Sequence, residues 1–171
     1  MHDALFKGGS LLRVLDALSD TTGASVRLGI RNFIHAQCVH VSWPGGTLDR
    51  MRLRPCMLMP SCHDALGMML LAQAGDVEVK AIVRHANAIC GSGGVVNPED
   101  YLDQLDRCRR FGCAEADCFA CAGERVLSVA LPTPFGVPAA IGLGLPANRL
   151  ENRRAALLHA LHGIVKDAWT E

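Results

Sequence analysis

The segments Phe111-Gly112-Cys113-Ala114-Glu115-Ala116-Asp117, Gly123-Glu124-Arg125-Val126-Leu127-Ser128-Val129-Ala130-Leu131-Pro132 and Pro138-Ala139-Ala140-Ile141-Gly142-Leu143-Gly144-Leu145-Pro146 together decide the fold of this chain. A helix ends at Gly112. Three strand-like runs follow, separated by Ala122-Gly123 and by Thr133-Pro134-Phe135-Gly136. Consecutive strands with such short breaks form a meander. The last run hands over to a helical segment, Asn152 to Trp169, with Leu157, Leu161, Ile164 and Ala168 at helical spacing. A sheet of this kind buries a face against helices.

Working upstream, Asn97-Pro98-Glu99-Asp100 is a strongly marked helix start: an Asn cap, Pro at the first helical position, and acids against the positive end of the dipole. Its inward stripe is Tyr101, Leu105 and Cys108, and Gly112 terminates it. Ser61-Cys62-His63-Asp64 has the Ser-x-x-acid spacing of another start, with helix formers from Ala65 to Ala74, and Val77 to His85 reads as a further helix. Nearer the N-terminus, residues 9 to 23 predict a helix facing inward through Leu11, Leu15 and Leu18 and closed by Gly23. Strands are expected over Ala24 to Ile30 and Phe33 to Ser42 around an Arg31-Asn32 turn, with a weaker third over Leu48, Met51 and Leu53. The strands cluster through hairpins and do not alternate with helices. This pattern predicts an α+β fold with about six antiparallel strands flanked by helices.

The chain has 171 residues, half of them apolar, which suits one domain with its own core. Seventeen basic side chains balance seventeen acidic ones, so no broad field favours nucleic acid or an anionic membrane. The N-terminal residues lack the features of a secretory signal, and no stretch suits a membrane span, so a cytoplasmic location is expected. The eight cysteines then read as reduced thiols, mostly buried.

In this order, the chain resembles the effector-binding domain of IclR-type bacterial transcription regulators. The resemblance rests on Pro60 with the helix Ala65-Leu66-Gly67-Met68-Met69-Leu70-Leu71-Ala72, on Asp103, Arg107 and Gly112, on the strand Gly123 to Pro132, and on Ala139 to Pro146 with Arg149. It implies a GAF-like or profilin-like fold and a pocket for a small effector. It also implies no enzymatic activity, self-association as a homodimer or homotetramer, and transcription regulation through a winged helix-turn-helix that precedes the domain. Residues 1–171 are expected to be that single domain, with the DNA-binding domain absent from this chain and DNA reached only through it.

Carried over position by position, the resemblance places the effector among Leu48, Met51, Ala65, Leu66, Ala116 or Asp117, Glu124, Val126, Gly142 and Gly144. A serine pair falls on the two glycines and a cysteine on Val126, so most donors for a small carboxylate are missing. Burying a carboxylate without donors costs several kcal/mol. The expected effector is therefore larger or more apolar than glyoxylate or pyruvate, with no cofactor besides. The alternative for Gly142 and Gly144 is that they merely relieve crowding against a helix.

Cys113, Cys118 and Cys121 offer a competing reading, as a zinc or redox cluster on a stand-alone GAF-like enzyme or sensor. On an extended strand Cys118 and Cys121 point to opposite faces, so they meet only if the chain turns between them, whereas Cys113 and Cys121 share a face. Cys38 and His40, two apart on a strand, are expected to share one too. Cys62-His63-Asp64 reads as a helix start with Asp64 capping and not as a catalytic triad. His159 and His162 read as surface or interface residues, not ligands.

Overall fold

The computed structural model describes residues 10–46, 57–90, 94–119, 121–132 and 136–167. The strands are β1 (Ser25–Asn32), β2 (His35–Ser42), β3 (Leu58–Pro60), β4 (Ala114–Asp117), β5 (Glu124–Leu131) and β6 (Ala139–Pro146), and the helices are α1 (Ser10–Thr22), α2 (Ala65–Leu71), α3 (Asp76–Cys90), α4 (Pro98–Phe111) and α5 (Ala147–Asp167). The strands form one antiparallel sheet in the order β3-β2-β1-β6-β5-β4. The β4-β5-β6 meander makes one half, and β1 joins it by pairing with β6, with Ser25 opposite Gly144 and Leu28 opposite Ile141.

Side chains alternate across the sheet, and helices cover both faces. One face sends Val26, Leu28, Leu127, Val129, Ile141, Leu143 and Leu145 against Leu11, Leu15 and Leu18 of α1 and Leu150, Leu157 and Leu161 of α5. Burying each such leucine contributes about 1.5–3 kcal/mol. The other face packs Ala36, Cys38, Val126 and Ala140 under Ala65, Leu66, Met69 and Leu70 of α2. Behind α2 lies a third cluster in which α3 and α4 contribute Val79, Val83, Tyr101, Leu102 and Leu105.

The end signals of α4 work as expected. Asn97 accepts from the N–H groups of Glu99 (2.9 Å) and Asp100 (3.3 Å), and Gly112 closes the helix at φ 67°. At α2 the cap is Asp64, which accepts from Leu66 N–H at 2.8 Å, and Ser61–His63 forms a separate 3-10 turn. Gly67 lets this helix approach: a side chain there would collide with the Ser61 backbone.

Two boundaries differ from the sequence expectation. The β1–β2 turn is at Phe33-Ile34, two residues beyond Arg31-Asn32, because Asn32 is held in the strand with its side chain donating to Gln37 at 3.0 Å. Helix α5 starts at Ala147, directly after Pro146, with no capping signal to mark it. The expected strand over Leu48, Met51 and Leu53 lies outside the described residues, while Leu58–Pro60 pairs with β2. Between Leu28/Gly29 of β1 and the facing residues of β2 the register slips by one. That bulge turns Cys38 toward α2 and His40 toward Asp16 of α1, so the two do not share a face.

Candidate functional site

Gly142, Gly144, Val126 and Glu124 lie on the α2 side of β5 and β6, with Ala116 beside them on β4 and Ala65 and Leu66 above on α2. Leu48 and Met51 lie outside the described residues. Asp117 is 91% exposed at its side chain and pairs with Arg125 at 3.3 Å, so Ala116, one residue earlier, is the position that faces the α2-side cluster.

The space at the two glycines is filled by the chain itself. A Cβ on Gly142 would lie 3.0 Å from Val126 and 3.5 Å from Leu66, and one on Gly144 would lie 2.6 Å from both Arg27 Nη2 and Ser25 Oγ. Glycine at 144 is what admits the Arg27 guanidinium.

Arg27 is the candidate-site residue that the sequence reading missed. It stands on β1, one of the two central strands of a sheet covered on both faces, is 0% exposed, and alternates with Val26 and Leu28, which face α1 and α5. Its guanidinium therefore runs under α2. Nη1 donates to Cys118 Sγ at 3.0 Å, and Nη2 donates to Ser25 Oγ at 3.3 Å and Glu124 Oε2 at 3.1 Å, with Cys121 Sγ at 4.0 Å. Burial works against the charge, but Cys118, Asp64 and Cys121 outweigh it and hold the guanidinium's pKa above the ordinary arginine value. The available signal was parity. Two helix-covered faces leave a polar side chain in a central strand no route to water, so it must be buried with partners.

Two neighbours complete the site. Asp64 is fully buried, and burial raises its pKa although Arg27 and the N–H groups of Leu66, Gly67 and Phe119 oppose the rise. Cys118 and Cys121 meet because the chain turns between them: Cys121 N–H donates to Cys118 Sγ at 3.1 Å, and backbone bonds link Cys118 with Glu124 and Glu124 with Cys121. Burial, with Cys118 adjacent, pushes the Cys121 thiol up to about 12. Cys113 does not join them. It packs in the α1/α5 cluster and accepts from Arg154 at 3.8 Å, beside a separate cleft of about 270 Å³ that includes Arg107, Glu115 and Phe111. The third group near the thiols is the Glu124 carboxylate. Among the described residues, no helix is long and apolar enough to cross a membrane.

The family model for the bacterial transcriptional regulator IclR C-terminal region matches residues 10–168. This chain belongs to the IclR C-terminal family. Its fold is similar to that of the effector domain of a protein described as transcriptional regulator IclR from Acinetobacter sp. ADP1, at 25% identity and TM-score 0.84 over 99% of each chain. The C-terminal domain of the E. coli transcriptional regulator KdgR matches at 24% identity and TM-score 0.72, covering 92% of this chain and 95% of that one. An IclR family regulator from Brucella abortus matches at 18% identity and TM-score 0.74 over 92% of this chain, which spans 60% of that protein. The latter two likenesses speak for the fold alone. No curated protein sequence matches the chain. The α+β, GAF-like architecture is thus that of an IclR effector domain.

Proposed function

We propose that this IclR-family domain senses a small molecule on the α2-side face of its sheet and controls DNA binding by a winged helix-turn-helix domain N-terminal to it. On this reading it works in the cytoplasm, as a self-associated dimer or tetramer, without catalysis of its own. The observation that carries the reading is Arg27: a fully buried cation running under α2 to the end of β4, where a domain built only for stability would place an apolar side chain.

The effector is larger or more apolar than glyoxylate or pyruvate. Positions 142 and 144 offer it no hydroxyl, and Val126 offers no thiol. Arg27, the buried cation of the site, is already engaged by Glu124 and Cys118, with Asp64 close enough to add negative charge. A small carboxylate would meet a cation that is already neutralised. Calorimetry with aromatic acids and short keto acids tests this reading. Binding of an aromatic or branched compound, weakened when Leu66 or Val126 is enlarged, is the expected result. Tight binding of glyoxylate or pyruvate alone would overturn it.

A further inference from the structure

We propose that Cys118, Cys121 and Glu124 bind a thiophilic divalent cation of the zinc class at the polar end of the α2-side face. Two sulfurs and a carboxylate oxygen lie within 4.8 Å of one another. Zinc holds thiolate sulfur at about 2.3 Å in tetrahedral geometry, which sets two sulfurs roughly 3.8 Å apart. Closing on the ion thus takes side-chain movements on the order of 1 Å.

The turn already supplies the hydrogen bonds that steady such ligands. Cys118 Sγ accepts from Cys121 N–H at 3.1 Å and from Arg27 Nη1 at 3.0 Å, while Glu124 accepts from Arg27 Nη2 at 3.1 Å. Ligands oriented in this way by a neighbouring donor bind metal more tightly. Charge favours a dication. Binding releases the two thiol protons to solvent; the two thiolates and the carboxylate then bring three negative charges, Arg27 brings one positive, and a divalent ion closes the difference. Sulfur selects zinc over magnesium or calcium, which take oxygen ligands. A second observation lies beside the cluster. Asp64 is fully buried, lies close enough to Arg27 to add negative charge there, and has an Oδ2 without a hydrogen-bond partner. With three protein ligands, one position stays open, as in exchangeable sites and unlike closed structural ones. That the ion acts as a signal rests on the effector-domain reading above; that it binds rests on this cluster alone.

The test titrates the purified 171-residue chain with Co²⁺ and then Zn²⁺, following the thiolate-to-cobalt charge-transfer absorption. One equivalent of Co²⁺ should produce the band, Zn²⁺ should abolish it by displacement, and Mg²⁺ should leave it unchanged. Cys118→Ser and Cys121→Ser should each abolish it, Glu124→Gln should weaken binding, and Cys113→Ser, on the other face, should change nothing. Arg27→Lys should weaken binding roughly 10- to 100-fold. Absence of the band, or a band that survives the Cys118→Ser/Cys121→Ser double variant, would overturn the site. X-ray absorption at the zinc edge of the unmutated chain does not depend on the variants folding: two sulfur neighbours support the site, and an all-oxygen or nitrogen shell sinks it. The organic panel separates the two proposals. If a panel compound binds and zinc does not, the ion falls and the effector reading stands; if zinc binds and no compound does, the outcome is the reverse.

Discussion

At the scale of single residues, Gly144 and Arg27 act as one unit. A methyl group at 144 would sit 2.6 Å from Arg27 Nη2, so the guanidinium would have to leave its contacts with Cys118 and Glu124. Gly144→Ala is expected to cost about 1–3 kcal/mol, as overpacking does. The same substitution in an Arg27→Gln background should cost less, with a coupling of at least about 0.5 kcal/mol in a denaturant double-mutant cycle. Additive costs would show that the two residues do not share this space. Glycines in an alternating strand read equally well as open volume or as clearance for a neighbour. Only the path of Arg27, from a strand more than a hundred positions away, decides between them.

Among the elements, the β1–β2 hairpin carries a visible local conflict. Phe33 adopts φ 53° at the first position of its two-residue turn and is 87% exposed, although that position suits glycine. Left-handed backbone costs a side-chain-bearing residue roughly 1–2 kcal/mol. Phe33→Gly should therefore stabilise the domain by about 1 kcal/mol in chemical denaturation, and a loss of stability would show that the ring makes a compensating contact. The same turn shows why some boundaries were legible in the sequence and others were not. Helix α4 has Asn97, Pro98 and Gly112 at its ends, and each acts through its own backbone geometry, so local sequence sufficed. The β1–β2 turn has no glycine, and its place is set by pairing across the sheet. The bulge that separates Cys38 from His40 leaves no local mark either. The core was legible through periodicity, as with Leu11, Leu15 and Leu18. The buried charge of Arg27 was not, because the groups it meets, Glu124 and Asp64, come from two other, distant segments.

For the whole molecule, buried acids set the alkaline limit of stability. Burial raises the pKa of Tyr101 above its ordinary 10.0 and that of Cys108 above its ordinary 9.0. The unfolded chain gives up these protons from about pH 9 to 10 while the folded chain keeps them, so stability is flat below this window and falls as pH rises through it. Urea midpoints measured from pH 7 to 11 should show the decline. Tyr101→Phe should make it shallower above pH 10, at a neutral-pH cost of about 1 kcal/mol for the lost bond to Ser61 O. The sheet order has a kinetic consequence. β1 and β6 pair across more than a hundred residues, and among the described strands that ladder alone joins the N-terminal strands to the meander. Such long-range pairings are slow to form, so the Arg27 cluster assembles only once the chain has made this closure. Arg27→Gln should then steepen loss from the native side, with the unfolding limb of a stopped-flow chevron shifting and the folding limb staying in place. A shift confined to the folding limb would mean that the two halves meet early, with this buried arginine guiding the encounter.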